Sequence, residues 1–229
     1  MKKTDYQTLK QAQNYHSFRF SKGLSIIDQN ETEIINLLAK TLPLSKPIII
    51  DLAAGTGRIT KKLLSLNPKK IYAIDSSKSM LSKLSQNLKS SIIQIVNHPA
   101  QNTKLPAKTA NLIITFHFLK HLPKQIDLFK EVHRLLKPKG YFIFDVLNQN
   151  SLAILNLSDC YAVSEIDIIN LLKKNNFRII KIIHLHFLGE TIYKLFGQKI
   201  GHFFNRFDKI LSNLNLKFST KIIICAQKI

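Results

Sequence analysis

This 229-residue chain has no tryptophan, two cysteines and only seven glycines. Cys160 and Cys225 stand far apart with no partner pattern, which argues against a disulfide framework and against a cysteine-ligated zinc, and fits a reducing, cytoplasmic setting. No apolar run approaches the ~18 residues a membrane-spanning helix needs. The stretch from Met1 to Gln7 is charged with no apolar core after it, unlike a secretion signal. Acids are scarce, 14 against 34 basic residues, for a net charge of +20. Arginine is scarce as well: Arg19, Arg58, Arg134, Arg178 and Arg206 are the five in the chain. A dedicated nucleic-acid surface favours arginine, whose planar fork fits phosphates and base edges. The excess is also spread along the chain: 6 basic and 4 acidic residues in 1–45, 17 and 5 in 46–150, 11 and 5 in 151–229. Abundant Lys, Asn and Ile match an AT-rich coding bias. The reading is a solvated lysine surface that binds nucleic acid only weakly and without specificity, Lys61, Lys62, Lys83 and Lys89 falling on helices flanking the sheet. Hydrophobic residues make up 45% and charged residues 21%, enough for a globular core.

What is present is an alternation of apolar runs and amphipathic stretches, the βα pattern of a parallel sheet. Strands are expected at 47–52, 71–75, 92–96, 112–116 and 141–146, then 179–185 and 221–226. Helices are expected at 58–66, from Ser76 or Ser77 to 88, at 125–136 and at 165–174. Lys137-Pro138-Lys139-Gly140 reads as a proline–glycine helix stop. Residues 1–45 read as a helical cap, with Ile34, Ile35, Leu37 and Leu38 at helical spacing. The chain 1–229 is therefore expected to be one doubly wound α/β domain. It divides into the cap, a ligand-binding core (46–150) and a C-terminal half (151–229) carrying a basic, aromatic insertion over about 189–216.

In such sheets ligands bind beyond the carboxyl ends of the strands. The first strand ends in Asp51-Leu52-Ala53-Ala54-Gly55-Thr56-Gly57-Arg58, where Gly55 and Gly57 can take positive φ and let backbone approach a ligand at a helix start. Asp75, at the tip of the second strand, can accept hydrogen bonds from a ribose diol. An open strand tip would leave Asp75 dispensable for folding. A dinucleotide fingerprint would place a third glycine at position 60, but Thr60 stands there, and Asp51 would repel a pyrophosphate. An ammonium would instead be attracted. S-adenosylmethionine has an ammonium, a ribose and an adenine and no phosphate, and fits these residues best.

Four segments in order resemble the class I S-adenosylmethionine-dependent methyltransferases, especially the type 11 group of mostly small-molecule enzymes. They are Ile50 to Arg58, Ala73 to Leu81, His121-Leu122-Pro123 and Phe129 to Tyr141. The resemblance covers 47–146. It implies a seven-stranded Rossmann-like sheet of order 3-2-1-4-5-7-6, the last strand antiparallel. It also implies cofactor contacts from Asp51, Ala53 (where the family has its first glycine), Gly55, Gly57, Asp75, Ser76, Met80, Ala100 and Phe116. Pro99 replaces the acid that often meets the adenine amino group in the family, leaving Ala100 N–H for the ring and Gln101 or Asn102 as substitute acceptors.

Methyl transfer from a sulfonium is an in-line displacement governed by positioning, with a general base where the acceptor has a proton to lose. His117, just past the fourth strand, is the candidate base; lining the pocket is its alternative role. Tyr15 and His16, in the cap, are weaker candidates, and His121 reads as structural. No metal site is expected. The Asp/Asn-Pro-Pro-aromatic motif of amino-group methylation and the Pro-Cys of cytosine C5 methylation are both missing: the corresponding run is Phe116-His117-Phe118-Leu119. The expected partner is a small-molecule acceptor, lipid-like or aromatic. An RNA or protein methyltransferase and a non-catalytic cofactor-binding module are the other readings. The 189–216 insertion can be core packing, a lid, or a helix making weak contact with an anionic membrane surface.

Overall fold

A computed structural model describes residues 24–153, 160–214 and 216–229. The first described element is helix α1 (Leu24–Thr41), which buries Ile27, Glu31, Ile35 and Leu38, one per turn. Strand β1 (Ile48–Leu52) is a β-branched run covered on both faces, as central parallel strands are. Helix α2 (Arg58–Leu63) follows the glycine turn and tightens into one 3₁₀ turn at Leu64–Leu66. Then come β2 (Lys70–Ile74), α3 (Lys78–Asn87), β3 (Ile93–Val96), β4 (Ala110–Thr115), α4 (Ile126–Leu135) and β5 (Leu136–Asn148). The C-terminal half contributes β6 (Ala162–Val163), α5 (Glu165–Lys174), β7 (Phe177–Leu185), α6 (Glu190–Asn213) and β8 (Lys221–Lys228). Ser77 and Ser164 cap α3 and α5: their hydroxyls accept from Met80 N–H at 3.3 Å and Asp167 N–H at 3.1 Å.

The sheet order is β3-β2-β1-β4-β5-β8-β7, with β6 a two-residue addition to β5. Setting β6 aside, this is the expected 3-2-1-4-5-7-6, and β8 runs antiparallel to both of its neighbours. One local expectation changes. Helix α4 does stop before Pro138, but Lys137–Gly140 belong to β5 instead of a turn. The pairing jumps from Ala110 with Leu136 to Leu112 with Tyr141, so the proline and glycine are taken up in a bulge at the strand start. Lys61, Lys62 and Lys83 fall on α2 and α3, the helices flanking the sheet, as read from the sequence, but Lys89 does not: α3 ends at Asn87, with Leu88 extended at its C-cap, so Lys89 lies in the loop that follows.

Two apolar layers clasp the sheet. On one face Phe129, Phe142, Phe144 and Phe177 pack under α4 and α5, Phe142 and Phe144 stacking at 4.5 Å. On the other, Ile35, Leu38, Ile49, Ile59 and Ile114 lie beneath α1 and α2. Because β7 ends and β8 begins at the carboxyl edge of the parallel strands, α6 starts and finishes at that edge. It packs on α1 there, with Asn30 Nδ2 donating to Asn205 Oδ1 at 2.6 Å.

Gly57 has φ 87°, and a Cβ on it would stand 2.8 Å from Leu84 Cγ and 2.9 Å from Leu88 Cδ1. Gly57→Ala is therefore expected to cost about 2 kcal/mol or more in urea unfolding. A variant as stable as the parent would mean that α3 does not pack on the turn.

Candidate active site

The β1 turn and the β2 tip meet as the sequence implied. Gly55 N–H donates to Asp75 Oδ2 at 2.9 Å and Ser77 N–H to Asp75 Oδ1 at 2.8 Å. Asp75 thus clamps the glycine turn as well as facing a ligand, which corrects the expectation that it is dispensable for folding. Burial raises the Asp75 carboxyl above its ordinary range, against the amides of Ser77, Gly55 and Ser76. Gly55 sits at φ 55°, and a Cβ on it would meet nothing within 4 Å, so the turn presents bare backbone to open space. Ala53 also adopts a left-handed φ of 58° although it carries a Cβ.

Asp51 is buried and accepts from Thr60 Oγ1 at 2.6 Å. The residue that replaces a third glycine thus holds the acid. Burial pushes the Asp51 carboxyl up to about 7, opposed by the Thr60 hydrogen bond and the Arg58 charge and reinforced by Asp75.

Beyond this turn lies a buried charge network that the sequence reading missed. Glu31 of α1 accepts from His117 Nε2 at 2.7 Å, from Lys221 Nζ and from Arg58 Nη1 at 3.3 Å. Arg58 also pairs with Asp28. Lys221 Nζ reaches Asp145 Oδ2 at 3.0 Å, and Asp145 Oδ1 accepts His117 N–H at 2.7 Å. That last bond supports His117 at a φ of 59°. Burial would raise both acids, but the charges of His117 and Lys221, with Arg58 added for Glu31, outweigh it and hold both below their ordinary range. Glu31, His117 and Asp145 could supply three metal ligands, yet the Lys221 ammonium already sits against both carboxylates. The sequence marks the burial of these charges but not their pairing. Glu31 falls on the apolar stripe of Ile27, Ile35 and Leu38, and Asp145 and Lys221 adjoin runs of buried apolar strand residues.

His117 therefore lies at the carboxyl edge with both ring nitrogens engaged: Glu31 takes the Nε2 proton, and Lys221 Nζ stands 3.5 Å from Nδ1. It lines a narrow cleft of about 10 Å³ with Lys120, Asp145, Val146, Leu147 and Lys221. Of the other expected contacts, Met80 is buried at the start of α3 and Ser76 is exposed beside Asp75. Ala100 and Phe116 are both buried but belong to different apolar layers, Ala100 with Leu52 and Ile74, Phe116 with Ile49 and Ile114. Gln101 and Asn102 line a separate surface groove with Glu131 and Arg134. Tyr15 and His16 lie outside the described residues.

Residues 50–144 match the family model described as a methyltransferase domain, type 11. The match covers 95 of the chain's 229 residues. The matched stretch holds Asp51, Gly55, Asp75 and His117 but neither Glu31 nor Lys221, so the charge network is closed from outside the matched segment. A malonyl-[acyl-carrier protein] O-methyltransferase from Marinomonas sp. is 32% identical over 122 residues, covering 52% of this chain and 45% of that protein. A demethylmenaquinone methyltransferase from Chlamydia muridarum is 30% identical over 93 residues, 40% of this chain and 41% of that protein. The chain spans about half the length of the curated relatives it matches. Among solved structures, a Haemonchus contortus phosphoethanolamine N-methyltransferase with S-adenosylhomocysteine superposes with a TM-score of 0.68 at 16% identity, over 98% of this chain and 58% of that one. An S-adenosylmethionine-dependent methyltransferase from Aquifex aeolicus gives 0.64 at 14%, over 99% and 100%. At such identities the likeness is one of fold.

Two stability experiments follow from this electrostatics. Lys221→Met leaves two buried carboxylates without their shared cation and is expected to cost about 3–5 kcal/mol in urea unfolding; a loss under about 1 kcal/mol would disprove the hub role. Because the folded-state pKa of Asp51 is raised to about 7, its contribution to stability is present at low pH and is lost as pH rises through that value. Asp51→Asn should therefore raise the melting temperature above the parent's at pH 8, and by less at pH 5. An equal gain at both values would contradict the raised pKa.

Proposed function

We propose that this chain binds S-adenosylmethionine against the Gly55 turn and transfers its methyl group to a small-molecule acceptor in the cleft beside His117. The observation that carries the reading is Gly55. Its backbone lies bare toward open space, its amide is fixed by Asp75, and the two acids nearest it, Asp51 and Asp75, are both held up in pKa by burial. A cationic ligand there favours their charged forms and relieves that cost. Bound S-adenosylmethionine supplies an electrophilic methyl. In this reading Asp75 accepts from the ribose hydroxyls, Asp51 attracts the ammonium, and Ala53, Gly57, Ser76, Met80, Ala100 and Phe116 shape the remaining contacts.

On the acceptor side, Val146 and Leu147 bring apolar surface to the cleft, and Lys120 with the Lys221 network, whose ammonium is already paired with Glu31 and Asp145, brings its polar edge. This combination suits an acceptor with a polar head and an apolar body, in keeping with the small-molecule acceptors named for the relatives, malonyl-[acyl-carrier protein] and demethylmenaquinone. In its neutral form His117 takes a proton from such an acceptor at Nδ1 once its contact with Lys221 opens. Until then it positions α1 over the cleft through Glu31.

Calorimetry tests the reading. S-adenosylmethionine and S-adenosylhomocysteine are each expected to bind with micromolar affinity, more weakly as pH falls through about 7, where Asp51 gains its proton. Gly55→Ala should fold, because its methyl meets no neighbour, yet bind at least about tenfold more weakly. Asp75→Ala should lose about 30-fold or more in affinity, and also about 1–2 kcal/mol of stability as the Gly55 and Ser77 amides lose their acceptor. Absence of heat with either compound on folded protein would refute the proposal.

A further inference from the structure

Helix α6 leaves one face unpartnered. Tyr193, Gly201 and Asp208 are buried, Gly201 against Ile26 of α1, and Asp208 accepts from Tyr193 Oη at 2.8 Å and from Phe187 N–H at 2.6 Å. On the outer side Ile200, Phe203, Phe207, Ile210 and Leu214 recur every three or four residues and are between 48% and 70% exposed. The stripe spans 15 residues, Ile200 to Leu214, about 21 Å at 1.5 Å per residue step. Leu216 and Phe218 extend it in the loop that follows. No other described helix exposes a comparable row of large apolar side chains.

The charge around this stripe is mainly basic. From Thr191 to Thr220 the sequence has five lysines and arginines and one acid, Asp208, which is buried. Arg206, Lys209 and Lys217 are exposed, Lys209 pairing with Glu33 of α1 at 3.1 Å. Apolar side chains beside basic ones on one exposed face match an anionic bilayer, where the former enter the acyl boundary and the latter meet the headgroups. Two copies of this face would bring like charges together on a chain of net charge +20. A nucleic acid would leave Ile200, Ile210 and Leu214 with no use.

We propose that α6 is a monotopic docking helix that lays this protein on an anionic lipid surface through Ile200, Phe203, Phe207, Ile210 and Leu214. The helix lies in the interface plane; among the described residues no helix is long and apolar enough to cross a membrane. Since α6 also spans the carboxyl edge of the sheet, docking places the His117 cleft next to the bilayer. The inference rests on the exposed face alone and stands whether or not the chain transfers methyl groups.

Co-sedimentation of the full chain with vesicles of phosphatidylcholine alone, or mixed with phosphatidylglycerol, tests it. Binding to the mixed vesicles is expected to exceed binding to the neutral ones about tenfold or more and to weaken with salt. Phe203→Glu combined with Phe207→Glu should remove it, with the melting temperature unchanged because both side chains are exposed. Failure to bind anionic vesicles overturns the proposal. So does undiminished binding by the double variant, which would leave only diffuse lysine attraction. A dimer in sedimentation that the double variant dissociates would assign the stripe to a second copy, and RNA binding lost in the double variant would assign it to nucleic acid; either result overturns the lipid assignment.

Discussion

The contact on which the rest of the carboxyl edge depends is the ammonium of Lys221 between Glu31 and Asp145. It joins three pieces of chain remote in sequence: the covering helix α1, the end of β5, and the first residue of β8. Water is excluded from all three groups, so each charge is tolerable only because the others are present. Removing solvent from a lone carboxylate is costly, and that cost makes the arrangement specific: α1 has one register in which Glu31 meets both Lys221 and His117. The same network supports the left-handed backbone at His117 through Asp145. Shape at the cleft is thus a consequence of charge pairing beneath it.

The neighbouring turn shows the opposite electrostatic balance. Asp51 and Asp75 sit close together with burial holding both up, and only hydroxyl and amide donors with Arg58 at a distance to compensate. At Asp51 the folded chain gives up stability, whereas Asp75 offsets part of the cost of its burial by accepting from the Gly55 and Ser77 amides. The two clusters differ in balance: the Lys221 network pairs opposite charges, while the Asp51–Asp75 pair is held by hydroxyl and amide donors. Arg58 links them, touching Glu31 and Asp28 on one side and acting on Asp51 on the other.

The family-matched segment ends at Phe144, before α5, β7, α6 and β8. Those later elements complete the sheet, donate Lys221 and set α6 beside α1. The shared part carries the turn and strand tips; the unshared part decides what stands above them. The fold is therefore common property of many proteins, and what covers the carboxyl edge is individual to this one.

Much of this architecture is written in local pattern. The β-branched runs at Ile48–Ile50 and Ile222–Ile224, the serine caps, and the glycine turn followed one strand later by Asp75 are short-range signals, each interpretable without knowing its neighbours. Pairing Gly55 with Asp75 also follows from sequence, because parallel strands joined by one helix bring their carboxyl ends together. The bulge at Lys137–Gly140 was obscured, since proline and glycine signal a stop whether the chain turns away or enters a strand. The hub formed by Glu31, Asp145 and Lys221 needed the tertiary structure. A charged residue on an apolar stripe announces that a partner exists, but residues separated by 114 and 190 positions carry no local mark of one another. Sequence by itself determined the sheet, the turn and the acid at its tip, because hydrogen-bonding periodicity and backbone sterics act over a few residues. Only the folded chain decided which charges neutralise each other and which face of α6 stays uncovered, because burial and Coulomb energy depend on distances that exist only once the layers have packed.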